Sequence, residues 1–101
     1  MDVQGKIKET VGSHRVVLYM KGSPDFPQCG FSAQAIKMLD AVGAREVYTV
    51  DVLQDAEVRQ GIKEFAHWPT VPQLYVNGEF VGGCDIMMEM YQNGELQKVI
   101  G

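Results

Sequence analysis

A chain of 101 residues with a net charge of −4, 46% hydrophobic and 22% charged residues has the balance of a globular protein, and residues 1–101 are expected to form one domain. The acidic balance and the lack of any Lys/Arg run argue against a nucleic-acid binder, and no apolar run is long enough to cross a membrane. Two widely separated cysteines, Cys29 and Cys84, and an N-terminal stretch (1–6) without a signal-peptide core place the chain in a reducing compartment: the cytoplasm of a bacterium, or an organelle matrix after removal of a targeting segment.

Val3, Ile7 and Val11 share one face of a first helix, which Gly12 and Ser13 end. The apolar run 16–20, Val-Val-Leu-Tyr-Met, reads as a buried strand. Gly22, Pro24 and Pro27 make 21–28 a loop. A second helix follows over 31–39, with Ala35, Ile36 and Leu39 at helical spacing and Gly43 beyond its end. Residues 47–52 read as a second strand. Asp55 starts a third helix that carries Val58, Ile62, Phe65 and Ala66 on one side. Strand 73–76, the Asn77-Gly78 turn and strand 79–81 form a hairpin. Gly82-Gly83 opens a last helix over 85–91, and a short turn follows Asn93-Gly94.

This order predicts an α/β fold: a parallel strand–helix–strand crossover extended by an antiparallel hairpin into a four-stranded mixed β-sheet flanked by helices. Sites in such sheets form outside the carboxyl ends of strands, which is where Cys29 falls, one loop after the first strand. The segment Cys29-Gly30-Phe31-Ser32 puts a single cysteine just ahead of a helix, where the helix dipole favours a thiolate. Ser32 stands where a dithiol enzyme carries its second cysteine. Cys29 is therefore suited to one-thiol chemistry with a small external thiol, or to metal binding completed by ligands from other molecules.

Four motifs in register, Lys21-Gly22-Ser23-Pro24, Cys29-Gly30-Phe31-Ser32, Trp68-Pro69-Thr70-Val71-Pro72 and Gly82-Gly83-Cys84-Asp85, resemble the monothiol glutaredoxins of the thioredoxin fold over nearly the whole chain. The resemblance implies glutathione as ligand, with Cys29 as the reactive residue. Lys21 and Arg59 would meet the glycyl carboxylate, with Lys63 a weaker candidate. Val71 would pair its backbone with the cysteinyl unit beside Pro72, which matches the family's cis-proline. The backbone of Gly83 and Cys84 suits the γ-glutamyl carboxylate, and Asp85 its ammonium group; Asp85 also reads as a helix N-cap, a role compatible with binding the ligand. Phe31, Ser32 and Thr70 support the site. Phe31 is either core or an exposed aromatic shielding the thiolate, and Ser32 either donates to the thiolate or caps the helix.

The same resemblance implies a labile [2Fe–2S] cluster bridged between two subunits, its four sulfur ligands being two Cys29 thiolates and two glutathiones. Such a protein would be a homodimer when loaded. It would deliver clusters to apo iron–sulfur proteins and pair with BolA-like proteins. The alternative is a glutathione-dependent oxidoreductase that removes glutathione from protein mixed disulfides through Cys29. A third reading is an oxidation sensor using Cys29 and Cys84. Cys84 otherwise reads as a structural or glutathione-adjacent thiol, and Trp68 as a packing residue. His14 and His67 read as surface residues, and Met87, Met88 and Met90 as core filling.

Overall fold

The computed structural model describes residues 2–101; Met1, part of the N-terminal stretch read above, lies outside them. In chain order the elements are α1 (Val3–Ser13), β1 (Val16–Met20), α2 (Gly30–Ala41), β2 (Tyr48–Asp51), a 3₁₀ turn (Val52–Gln54), α3 (Ala56–Ala66), β3 (Gln73–Val76), β4 (Glu79–Gly82), α4 (Cys84–Asn93) and α5 (Glu95–Ile100). The four strands form one sheet in the order β2-β1-β3-β4. β1 runs parallel to β2 and antiparallel to β3, and the Asn77-Gly78 turn, both residues at positive φ, closes the β3–β4 hairpin.

Helices cover both faces. On one side Leu18 and Met20 of β1 meet Ala35, Met38 and Leu39 of α2, Met87 of α4, and Leu96 and Ile100 of α5. On the other, Val17, Tyr19 and Tyr75 meet Ile7 and Val11 of α1 and Ile62 of α3. β1 is buried over all five residues because the strand is central and covered twice. Asp2 and Asp55 cap α1 and α3 by accepting N–H groups of their first turns.

Three sequence expectations are corrected. The second strand stops at Asp51, because the Asp51 carboxylate accepts the Leu53 N–H and turns the chain; Val52 belongs to the 3₁₀ turn. The segment after Gly94 is a helix, α5, anchored by buried Leu96 and Ile100 and by Arg15, whose guanidinium donates to the Ile100 carbonyl. Met88 faces outward, while Met87 is fully buried and Met90 lies against the core. No described helix is long and apolar enough to cross a membrane.

Candidate functional site

Cys29 ends the loop from β1 and is the N-cap of α2, with extended backbone (φ −151°, ψ 136°). Its carbonyl accepts the Ala33 N–H at 2.9 Å, so the cysteine is fixed as the first point of the helix. No cap hydrogen bond closes on the sulfur of the neutral thiol. The free N–H groups of the first turn favour the anion instead. The Ser32 N–H does most to hold the Cys29 thiol below its ordinary value, and the Phe31 N–H, the Lys21 charge and the Ser32 hydroxyl add to it against an opposing effect of burial. The residue is half-buried, which leaves the sulfur open to a partner from solvent.

Ser32 is completely buried, and its Oγ accepts the Lys21 N–H at 3.1 Å. The hydroxyl thus joins the end of β1 to the first turn of α2 and leaves its proton for the Cys29 sulfur. It is not the helix cap. Phe31 is exposed (59%) beside the thiol, which decides against the core reading.

The loop 21–28 is held from two sides. Gly22, at φ +90°, lies so close to the Phe26 carbonyl that a Cβ would stand 2.4 Å from it. The Gly22 N–H donates to Asp51 Oδ1 at 2.9 Å, and the Gln28 N–H donates to the Lys21 carbonyl at 2.9 Å. The Gly22 N–H does most to hold the Asp51 carboxyl below its ordinary range. Sequence reasoning missed Asp51, because a carboxylate at a strand end carries no motif. The signal was its place at the carboxyl end of the strand beside β1.

A groove of about 140 Å³ is lined by Phe31 of α2, by Trp68, Thr70, Val71 and Pro72 ahead of β3, and by Gly83, Cys84 and Asp85 at the start of α4. A larger cavity, lined by Arg15, Arg45 and Ile100 among others, lies away from Cys29. The Val71–Pro72 peptide bond is cis. Gln73, fully buried, steadies the approach to it: its Nε2 donates to the Thr70 and Trp68 carbonyls at 3.1 and 3.3 Å, and its Oε1 accepts the Tyr75 hydroxyl at 2.9 Å. Trp68 packs on Phe80 with ring centroids 5.5 Å apart, but it also walls the groove. Its indole N–H is buried with no partner among the described residues.

Gly83 is the N-cap of α4, Cys84 its first residue and Asp85 its second, so the capping reading for Asp85 is set aside. Asp85 is exposed at the groove. Cys84 is buried, donates its S–H to Gln34 Oε1 at 3.3 Å, and is not disulfide-bonded. Burial, then the charges of Asp85 and Cys29, push its thiol up. Of the residues expected at the site, the groove gathers Phe31, Thr70, Val71, Pro72, Gly83, Cys84 and Asp85. Cys29, Ser32 and Lys21 do not line it; they cluster around the start of α2, the helix whose Phe31 does. Arg59 and Lys63 lie on α3 and do not line it. His14 and His67 are exposed; His14 stacks on Tyr48 at 3.9 Å, and no group of three or more His, Cys, Asp or Glu side chains with metal-holding geometry occurs among the described residues.

Comparison with known proteins places these features in a family. The glutaredoxin family model matches residues 16–81. An uncharacterized monothiol glutaredoxin (ycf64-like) of Synechocystis is 52% identical over 99 residues, covering 98% of this chain and 92% of that protein. Glutaredoxin 4 of Escherichia coli K12 is 55% identical over 95 residues, covering 94% and 82%. Among solved structures, a buckwheat glutaredoxin–glutathione complex superposes with a TM-score of 0.84 at 26% identity, covering 97% of this chain and 86% of that one. With a lone cysteine at the start of α2, Ser32 in the second thiol's place and the sheet order of the thioredoxin fold, the chain belongs to the monothiol glutaredoxins, a family whose membership implies use of glutathione.

Proposed function

We propose that residues 1–101 act as one glutaredoxin domain that binds glutathione along the groove and carries a labile [2Fe–2S] cluster. The observation that carries this reading is the contrast between the two thiols. Cys29 is open to solvent and held toward the thiolate, whereas Cys84 is buried and hydrogen-bonded as a donor. One chain therefore offers one sulfur ligand to a cargo that takes four. Two Cys29 thiolates and two glutathione thiols complete the set across a homodimer. Half of these ligands dissociate as small molecules, which suits delivery to apo iron–sulfur proteins in cluster biogenesis and iron homeostasis. A BolA-like protein would replace one subunit in mixed complexes. A reducing compartment, such as a bacterial cytoplasm, keeps both thiols free for this work.

Within the groove, Lys21 takes the glycyl carboxylate, with Arg59 reaching in from α3. Val71, beside Pro72 and Thr70, pairs its backbone with the cysteinyl unit. The N–H groups at Gly83 and Cys84 take the γ-glutamyl carboxylate, and Asp85 its ammonium group. The glutathione complex of the buckwheat relative supports placing a tripeptide on this surface.

Anaerobic reconstitution with iron, sulfide and glutathione tests the proposal, with a control lacking glutathione. A glutathione-dependent chromophore in a dimer, with about two irons per dimer, supports it. A colourless monomer that rapidly reduces glutathione mixed disulfides overturns the carrier reading in favour of the oxidoreductase, for which an open thiolate is equally suited.

A further inference from the structure

Both cysteines sit at helix starts: Cys29 is the N-cap of α2 and Cys84 the first residue of α4. A helix dipole by itself favours a thiolate at each. Their immediate partners are opposite in kind. Cys29 is met by N–H donors, which stabilise an anion; Cys84 is met by an oxygen, Gln34 Oε1, at 3.3 Å. A thiol bonded this way is using its proton, and as a thiolate it would lose the bond and face a lone pair. Gln34 belongs to α2, one turn on from Cys29, and its contact with Cys84 spans the packing of α2 on α4. The titratable groups that bear on Cys84 are Asp85 on its own helix and Cys29 at the start of α2. Gln34 is exposed, so its amide is free of core packing and can be exchanged without opening a cavity.

We propose that Gln34 is a positioning residue of this site: by accepting the Cys84 S–H it holds the second thiol as a donor between α2 and α4, leaving Cys29 alone to meet external sulfur or metal. One-thiol behaviour then has two sources in this chain. Ser32 removes the neighbouring thiol, and Gln34 keeps the distant one occupied. The inference rests on the reading of Cys29 as the reactive thiol.

Competitive alkylation of the full chain with iodoacetamide at fixed pH, with each cysteine quantified by peptide mass spectrometry, tests it. In the wild type Cys29 reacts first. Gln34→Leu, which removes the acceptor, raises the Cys84 rate by about fivefold, as loss of one hydrogen bond of about 1 kcal/mol implies. Gln34→Glu, which keeps an acceptor at that position, leaves Cys84 at or below its wild-type rate. The Cys29 rate stays constant in Gln34→Leu, and in Gln34→Glu the added negative charge leaves it unchanged or slows it. A Leu variant with the wild-type Cys84 rate overturns the proposal. So does an equal rise in the Leu and Glu variants, which would make the contact one of packing. Alkylation is read without iron or glutathione, so a chain that shows this pattern yet assembles no cluster loses the carrier reading alone.

Discussion

The Ser32 hydroxyl accepts the backbone N–H of Lys21 at 3.1 Å, tying the residue after β1 to the first turn of α2. The bond is partly buried, with Ser32 wholly so. It therefore sets the height of the Lys21 backbone against Cys29, and the Lys21 charge acts on the thiol from there. Ser32, read from the sequence as a donor to the thiolate or a helix cap, also joins β1 to α2 at the site.

Replacing Ser32 by Ala leaves the partly buried Lys21 N–H without its partner. The expected loss is about 1–3 kcal/mol of stability, read by urea denaturation. The Cys29 thiol also loses the contribution of the hydroxyl, so its titration moves up toward the ordinary thiol range. Ultraviolet thiolate absorbance against pH measures that shift. An unchanged titration would remove Ser32 from the electrostatics of the site.

Cys29 links the site to pH. Its thiol titrates lower in the folded protein than in the unfolded chain, where an ordinary value of about 8.5 applies. The stabilisation is complete above the unfolded value and is lost as pH falls through the depressed folded value. Compared with Cys29→Ser, the wild type thus gains relative stability as pH rises through that window. Paired denaturation curves at several pH values follow the difference, which a flat profile would contradict. Iodoacetamide reactivity of Cys29 should reach its plateau at lower pH than that of a free cysteine.

Asp51 is expected to control the loop that delivers Cys29. Its Oδ1 accepts both the Gly22 and Leu53 N–H groups at 2.9 Å. Asp51→Ala should cost about 1–2 kcal/mol, taking the low end for a partly exposed carboxylate. The wild-type contribution is present above the unfolded carboxyl value of about 3.9 and is lost as pH falls through the lower folded value. Asp51→Asn keeps an acceptor and should lose less, without that acid-dependent component. Acid titration of the three proteins by circular dichroism separates these outcomes.

The difference between Ser32 and Asp51 shows what the sequence carried. Local patterns were legible: the uninterrupted apolar run of β1, the Asn77-Gly78 turn and the inward faces of α1 and α3 appear as expected, while Met88 of α4 turns outward. Val71, Pro72 and Asp85, which line one groove, likewise lie in motifs at a strand end and a helix start, and their binding of glutathione is the proposal made above. Pairings between residues far apart in sequence were not legible. Gly22 with Asp51, Cys84 with Gln34, and the carbonyls of Trp68 and Thr70 with Gln73 depend on side-chain directions that periodicity does not encode. The short α5 was hidden because its two anchors, Leu96 and Ile100, are too few to declare a helix.

Lys21 and Arg59 are both proposed to meet the glycyl carboxylate, and their positions rank them. Lys21 stands close enough to act on the Cys29 charge, whereas Arg59 is exposed on α3, outside the groove lining. Lys21→Ala should weaken glutathione binding by about three- to tenfold, as loss of a partly exposed ion pair of about 1 kcal/mol implies, and Arg59→Ala by less. Calorimetric titration at two salt concentrations tests the ranking. The wild-type affinity should fall with added salt more than that of Lys21→Ala. Equal losses from both variants would put Arg59 on the same footing as Lys21.

Gly83→Ala probes the groove wall at the start of α4. The backbone there is extended (φ −92°, ψ −168°) and accepts alanine, so any effect comes from space. An added Cβ would stand 3.0 Å from Trp68 Nε1 and 3.4 Å from the Pro72 carbonyl. The indole is rigid, it packs on Phe80, and the Trp68 carbonyl is held by Gln73, so it has little freedom to yield. The expected result is a stability loss of about 1–2 kcal/mol. Displacement of the α4 start from the cis-proline should also weaken glutathione binding by about tenfold, since the N–H groups at Gly83 and Cys84 would no longer converge on one carboxylate. Trp68 is the chain's single tryptophan, so its fluorescence reports both effects directly. Glutathione should perturb the emission of the wild type at concentrations that leave the variant unchanged. Wild-type affinity in Gly83→Ala would place the γ-glutamyl end of the ligand elsewhere on the surface.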